Sequence, residues 1–249
     1  MLNLMKKGRD LLSNSPITYL NEPNDPIYPK LYTDVCVGFK QGRQLMATII
    51  VPPVKKISQK HFPLLFCVTT KPDELVVPFL EVVKNGYVVA ILKTFGSSNA
   101  LDAKDLKSGV RFLLNHAFQY HIDPYRYAFF GLNDTAQACA SAVLSGNDQN
   151  FSDEDVHFAP LHAKACLIYN LTWQEELAEN LRLKNLPPFY LLQHAAKPID
   201  QFTAWMDHQG GTYQAFLLSQ PAECAKTAFT PYIMQTFVDF LDQYVKKNK

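Results

Sequence analysis

The chain has 249 residues, 47% of them hydrophobic and 19% charged, which is enough apolar material for one sizeable core and too little charge for a disordered chain. Its formal net charge is +1, with 24 Lys and Arg scattered among 23 Asp and Glu, so composition excludes a basic field for holding nucleic acid or an anionic membrane. Cys36, Cys67, Cys139, Cys166 and Cys224, an odd number, stand singly and mostly inside apolar runs, which is the usage of buried free thiols in a reducing cytoplasm and not of a disulfide framework.

In chain order, residues 1–31 read as an N-terminal arm. Prolines at 23, 26 and 29 interrupt it, and a short helix fits residues 2–12. The first fifteen residues lack the apolar core and small-residue cleavage site of a secretory signal, and no apolar run reaches the length that spans a bilayer. Residues 32–39 and 45–51 alternate or run apolar on either side of Lys40-Gln41-Gly42-Arg43, a hairpin pattern. After a lysine-bearing loop at 52–61, residues 63–68 form the continuous apolar run of a strand buried on both faces. Helical spacing over 75–85 stops at Gly86, and 87–92 is the next buried strand. Residues 102–117 make an amphipathic helix, with Leu106, Val110, Leu113 and Leu114 on one face and Asp102 as its N-cap.

Residues 115–142 are the stretch around which the chain is organised. They predict the end of that helix, a turn at Ile122-Asp123-Pro124, a short buried strand at 127–130, a sharp bend over 131–135 and a helix of small residues at 136–144. An acidic loop occupies 147–162, and a strand 163–169. A helix over 172–184 has Thr172 as N-cap and Glu175 at the capping-box spacing. Strands at 189–193 and 213–218 enclose a helix at 202–208, and a helix over 231–245 with proline in its first turn closes the chain. Strands alternating with helices give an α/β fold with a mostly parallel sheet and right-handed crossovers, as one domain over 32–249.

The strand, bend and small-residue helix resemble the nucleophile elbow of the α/β-hydrolase superfamily. Arg111-Phe112-Leu113, Tyr120, Ile122-Asp123-Pro124, Arg126 and Gly131 match the pattern that its carboxylesterase/lipase branch carries here. The resemblance implies the α/β-hydrolase fold, a mostly parallel central sheet with helices on both faces, and a small lid at about 170–186. It also implies ester hydrolysis by a serine, an acid and a histidine in that chain order, with backbone donors for the oxyanion and no cofactor.

At each of those positions the sequence departs from the pattern. Gly-x-Ser-x-Gly is replaced by Gly131-Leu132-Asn133-Asp134-Thr135, and the amide of Asn133 cannot be activated as a hydroxyl can. In the segment after the seventh strand, His194-Ala195-Ala196-Lys197-Pro198, the acid position holds Lys197, with Asp200 three residues on as a fallback. The histidine belongs after the last strand, yet the last histidine of the chain is His208; Glu223 and Cys224 stand near the expected place and neither replaces an imidazole. Where the branch carries glycines for the oxyanion, this chain reads Val68-Thr69-Thr70-Lys71-Pro72. Glycine overall is 10 of 249, about 4% against a usual 7% or so.

Three readings stay open. The first is a catalytically inactive relative whose pocket, lined by Thr69, Thr70, Asn133, Asp134 and Trp173, takes a small apolar or acyl ligand, or which pairs with a protein through its last strand or closing helix, a second copy included. The second is a weak or unorthodox carboxylic-ester hydrolase using Asp134 or Asp200; the Asp134 register places Leu132 where the bend needs a small residue. The third is a structural or oligomerising subunit. His116 and His121 are a weak metal candidate, since their separation crosses a helix end with no carboxylate in phase, and His157 with His162 beside Asp153 and Asp155 is a slightly better one. Asp123 and Arg126 read as structural supports of the central strand, and Trp173 and Trp205 as lining of a cavity near the lid.

Overall fold

The computed structural model describes residues 28–40, 42–54, 60–94, 99–145, 161–173, 186–194, 199–218 and 229–246. The predicted N-terminal helix, the acidic loop over 147–162 apart from its last two residues, and the helix over 172–184 apart from its first two lie outside these residues.

Eight strands form one sheet: β1 (Lys30–Lys40), β2 (Arg43–Val51), β3 (Phe62–Thr69), β4 (Val88–Lys93), β5 (Ile122–Leu132), β6 (Ala165–Tyr169), β7 (Phe189–His194) and β8 (Tyr213–Leu218), in the order β1-β2-β4-β3-β5-β6-β7-β8. The β1-β2 and β2-β4 pairs are antiparallel and every other pair is parallel, so β2 alone runs against the rest. The helices are α1 (Asp73–Lys84), α2 (Asn99–Asn115), α3 (Ala136–Leu144), α4 (Asp200–His208) and α5 (Pro231–Leu241), the last continued by a π-helical turn over Asp242–Lys246.

The continuous apolar runs become central strands because both their faces are covered. Along β3, Leu64, Phe66 and Val68 enter the core under α2, α3 and α4, while Leu65 and Cys67 enter the core under α1 and α5. Leu106, Val110 and Leu113 of α2 are fully buried on one face, as their spacing predicts. Thr230 caps α5 by accepting from Ile233 N, ahead of Pro231 in the first turn. Among the described residues no helix is long and apolar enough to cross a membrane.

Two expectations are corrected. Helix α2 starts at Asn99, so Asp102 stands inside its first turn and is not its N-cap. The turn expected at Ile122-Asp123-Pro124 lies within β5, which is eleven residues long. Ile122 pairs with Phe62 and Tyr127 with Leu64, so the residues between them bulge out of the ladder. Asp123 holds that bulge: one carboxylate oxygen accepts from Tyr125 N at 3.0 Å and the other meets Arg126 Nε at 2.6 Å. The supporting role read for this pair is therefore local and specific.

Candidate functional site

The carboxyl edge of the sheet is built around the end of β5. Gly131 sits between β3 and β6, opposite Val68 and Ile168. A Cβ on it would lie 2.4 Å from Cys139 Cβ and 3.0 Å from Thr135 O, so only glycine lets α3 fold back this tightly on the strand. Asn133 then takes φ +48°, the left-handed region that asparagine tolerates better than most residues. The 3-10 turn Asn133–Thr135 leads directly into α3. Asp134 is not among the positive-φ residues, so the strained position of the elbow belongs to Asn133.

Thr135, in place of the second glycine, uses its hydroxyl as a tie. Its Oγ1 lies 2.8 Å from Val68 O and 3.0 Å from Leu132 O, and accepts from Leu132 N at 3.3 Å. The residue is 2% exposed, so the bend is bound to the end of β3 inside the protein.

The side chain of Asn133 is held in turn. Its Oδ1 accepts from Asn170 Nδ2 at 3.0 Å, and Asn170 Oδ1 accepts from His194 N at 2.9 Å. Asn170 follows β6 directly and has φ +57°. Next to it, Gln193 clasps the backbone of Leu171, its Oε1 accepting from Leu171 N at 2.9 Å and its Nε2 donating to Leu171 O at 3.0 Å. Carboxamide side chains therefore stitch together the ends of β5, β6 and β7, where a serine enzyme would hold its nucleophile and acid. Asn170 and Gln193 escaped the sequence reading; an asparagine closing a buried apolar strand run was the available signal, since that residue type accepts left-handed dihedrals.

The other predicted positions disperse. Asp134 is exposed. Asp200 is the exposed first residue of α4, where Thr203 Oγ1 donates to its main-chain carbonyl at 3.1 Å. Thr69 is buried, with Oγ1 accepting from Lys71 N and its carbonyl from Thr94 N, while Thr70 is exposed. Trp173 packs against Phe202 and Trp205, with ring centroids 4.7 and 5.3 Å away, in the core under α4. Lys197, Glu223, Cys224, His157, Asp153 and Asp155 lie outside the described residues. His116 stacks on Phe112 and its Nδ1 pairs with Phe112 O. No group of three metal-ligating side chains occurs among the described residues.

The buried thiols are structural. Cys139 and Cys166 Sγ are 3.9 Å apart between α3 and β6. Burial, followed by the hydrogen bond shared with Cys139 and the electrostatic effect of that neighbour, pushes Cys166 well above the usual thiol range; burial, and then Cys139, does the same to Cys67. Neutral, enclosed thiols of this kind are inert as nucleophiles.

No protein-family model matches the sequence, and no curated protein matches it. Solved structures do. An esterase of Thermogutta terrifontis phosphorylated by paraoxon is similar with a TM-score of 0.69 at 14% identity, covering 93% of this chain and 100% of the esterase. The thermophilic esterase of the same organism with propionate bound gives 0.64 at 16% identity, covering 94% and 100%. An α/β hydrolase enzyme from a Medee basin deep-sea metagenome library gives 0.60 at 10% identity, covering 88% and 99%.

Proposed function

We propose that this chain, whose fold is that of the α/β-hydrolases, is an esterase-related protein without ester-hydrolysing activity, retained in the cytoplasm for binding. The observation that carries the reading is Asn133. It occupies the strained elbow position that presents a nucleophile in the serine hydrolases, and its carboxamide oxygen is engaged by a second carboxamide, Asn170. An amide nitrogen is conjugated with its carbonyl and carries no lone pair that a base could unmask, so no acyl-enzyme forms. The chain also lacks any histidine beyond His208 to act as base.

Binding at this edge would use Asn133 and Asp134 at the exposed elbow, Thr69 and Thr70 at the end of β3, and Trp173 behind β6. The ligand class we propose is a small apolar or acyl molecule. In its support, one of the similar esterases holds propionate. No cofactor and no metal enter this reading.

The test is hydrolysis of short and medium p-nitrophenyl esters by the natural protein, by Asn133→Ser and by Asp134→Ala. All three are expected to match buffer, because restoring a hydroxyl restores neither base nor oxyanion donors. Turnover by the natural protein that Asp134→Ala abolishes would overturn the reading in favour of an aspartate nucleophile. Tryptophan fluorescence titrated with medium-chain carboxylates then reads binding, with the response expected to disappear in Trp173→Phe.

A further inference from the structure

The carboxamides at the carboxyl edge form a relay whose direction is fixed. His194 N is a main-chain N–H and can only donate, so the Asn170 atom it meets at 2.9 Å is the carboxamide oxygen. The other end of that carboxamide is then Nδ2, which donates to Asn133 across 3.0 Å, so the Asn133 atom facing inward is Oδ1. The relay has a firm base, since Gln193, 1% exposed, binds both main-chain polar groups of Leu171, the residue after Asn170. Asn133 itself is exposed. Its Nδ2, with two N–H donors, is therefore the end of the relay that the elbow presents. One residue further along the same 3-10 turn stands Asp134, also exposed, whose carboxylate only accepts.

We infer that the elbow selects a neutral primary carboxamide on a short apolar chain over the matching carboxylate, an inference that rests on the binding reading above and specifies its ligand. A carboxamide carries an acceptor and a donor side by side. Its oxygen accepts from Asn133 Nδ2 while its own N–H donates to the Asp134 carboxylate. A carboxylate offers acceptors alone, so it gains the first bond and sets its charge against Asp134 in place of the second. The N-terminus of α3, which would draw an anion, has one already, because Asp134 stands in the turn that leads into that helix. Lys71, just beyond the end of β3, is paired with Glu74 at 3.3 Å. A neutral ester supplies the acceptor without the donor and ranks between the two.

Isothermal titration calorimetry of the full chain with hexanamide and with hexanoate at neutral pH is the test, because the tails match and only the head differs. The natural protein is expected to bind hexanamide more tightly by about tenfold. Asn133→Asp keeps an oxygen for Asn170 Nδ2 and removes the outward donors, so its affinity for hexanamide is expected to fall about tenfold. Asp134→Asn removes the charge and is expected to bring the two ligands within about threefold of each other, through tighter binding of hexanoate. Far-UV circular dichroism confirms that the variants are folded. Hexanoate bound as tightly as hexanamide by the natural protein overturns the inference and leaves the binding reading standing, whereas binding of neither ligand overturns both. A preference for hexanamide that survives either change places the selection elsewhere and equally overturns the inference.

Discussion

At Asn133 one backbone angle and one hydrogen bond together hold the bend that ends β5. The left-handed φ of +48° is imposed by the bend, and the asparagine meets it at low cost while its carboxamide is spent on Asn170. Replacing Asn133 by Ala is expected to destabilise the fold by about 1–2 kcal/mol, since a Cβ residue without a polar tip must hold the same dihedral and the carboxamide bond is lost. Asn133→Gly should fall within about 0.5 kcal/mol of the natural protein. Urea midpoints of the two variants decide it, and equal destabilisation by both would mean that strain is not the cause. Gly131 is stricter still. Gly131→Ala forces a Cβ to 2.4 Å from Cys139 Cβ and is expected to lower stability by about 2–3 kcal/mol; a thermal melt like that of the natural protein would contradict so tight a contact.

At the scale of the element, the end of the chain is fixed by a short polar clamp. Tyr87 OH donates to Asp242 Oδ1 at 2.8 Å, and Lys246 Nζ reaches the same oxygen at 2.7 Å, donates to Asn85 O at 2.6 Å, and lies 4.7 Å above the Tyr87 ring. The turn of chain after α5 is thereby tied to the start of β4. Asp242→Ala is expected to cost about 1–2 kcal/mol and Tyr87→Phe about 1 kcal/mol, with the double variant costing less than the sum because both act through one carboxylate. Denaturant unfolding of the three proteins measures the coupling; strict additivity would show that the contact contributes nothing to stability. The closing helix itself was legible from Pro231 and its amphipathic spacing, whereas the π-helical turn was not, since Lys246 in it meets Tyr87, a residue far away in sequence.

Across the molecule, buried tyrosines govern behaviour at high pH. Burial pushes Tyr127 up from the ordinary value of 10.0 to about 12, against the smaller opposing effects of the His162 N–H it accepts and of Arg111. Tyr190 is raised by burial, and Tyr87 by burial and then by its bond to Asp242. A tyrosine whose folded pKa is raised stays neutral where the unfolded chain has ionised. Its contribution is complete below the unfolded pKa near 10 and is lost as pH rises towards the folded value. The thermal midpoint is therefore expected to fall steadily above about pH 10, in step with tyrosinate absorbance. A midpoint flat between about pH 9.5 and 11.5 would exclude this origin.

The order of residue types was enough to specify the architecture. Apolar runs of strand length separated by amphipathic helices leave a parallel sheet as the way to bury both faces, and identities such as Asn133, or the absence of histidine beyond His208, need no coordinates. Boundaries were less legible: Asp102 reads as a cap from its type alone, but the chain begins to coil three residues earlier, and the Asp-Pro turn reads as a break although the sheet absorbs it as a bulge. The carboxamide contacts at the carboxyl edge of the sheet came from packing in three dimensions. The carboxamides of Asn133 and Asn170 are 37 residues apart in sequence and meet because β5 and β6 are adjacent in the sheet. A strand's sequence gives its faces, while its place at an edge depends on the order in which all eight strands pair.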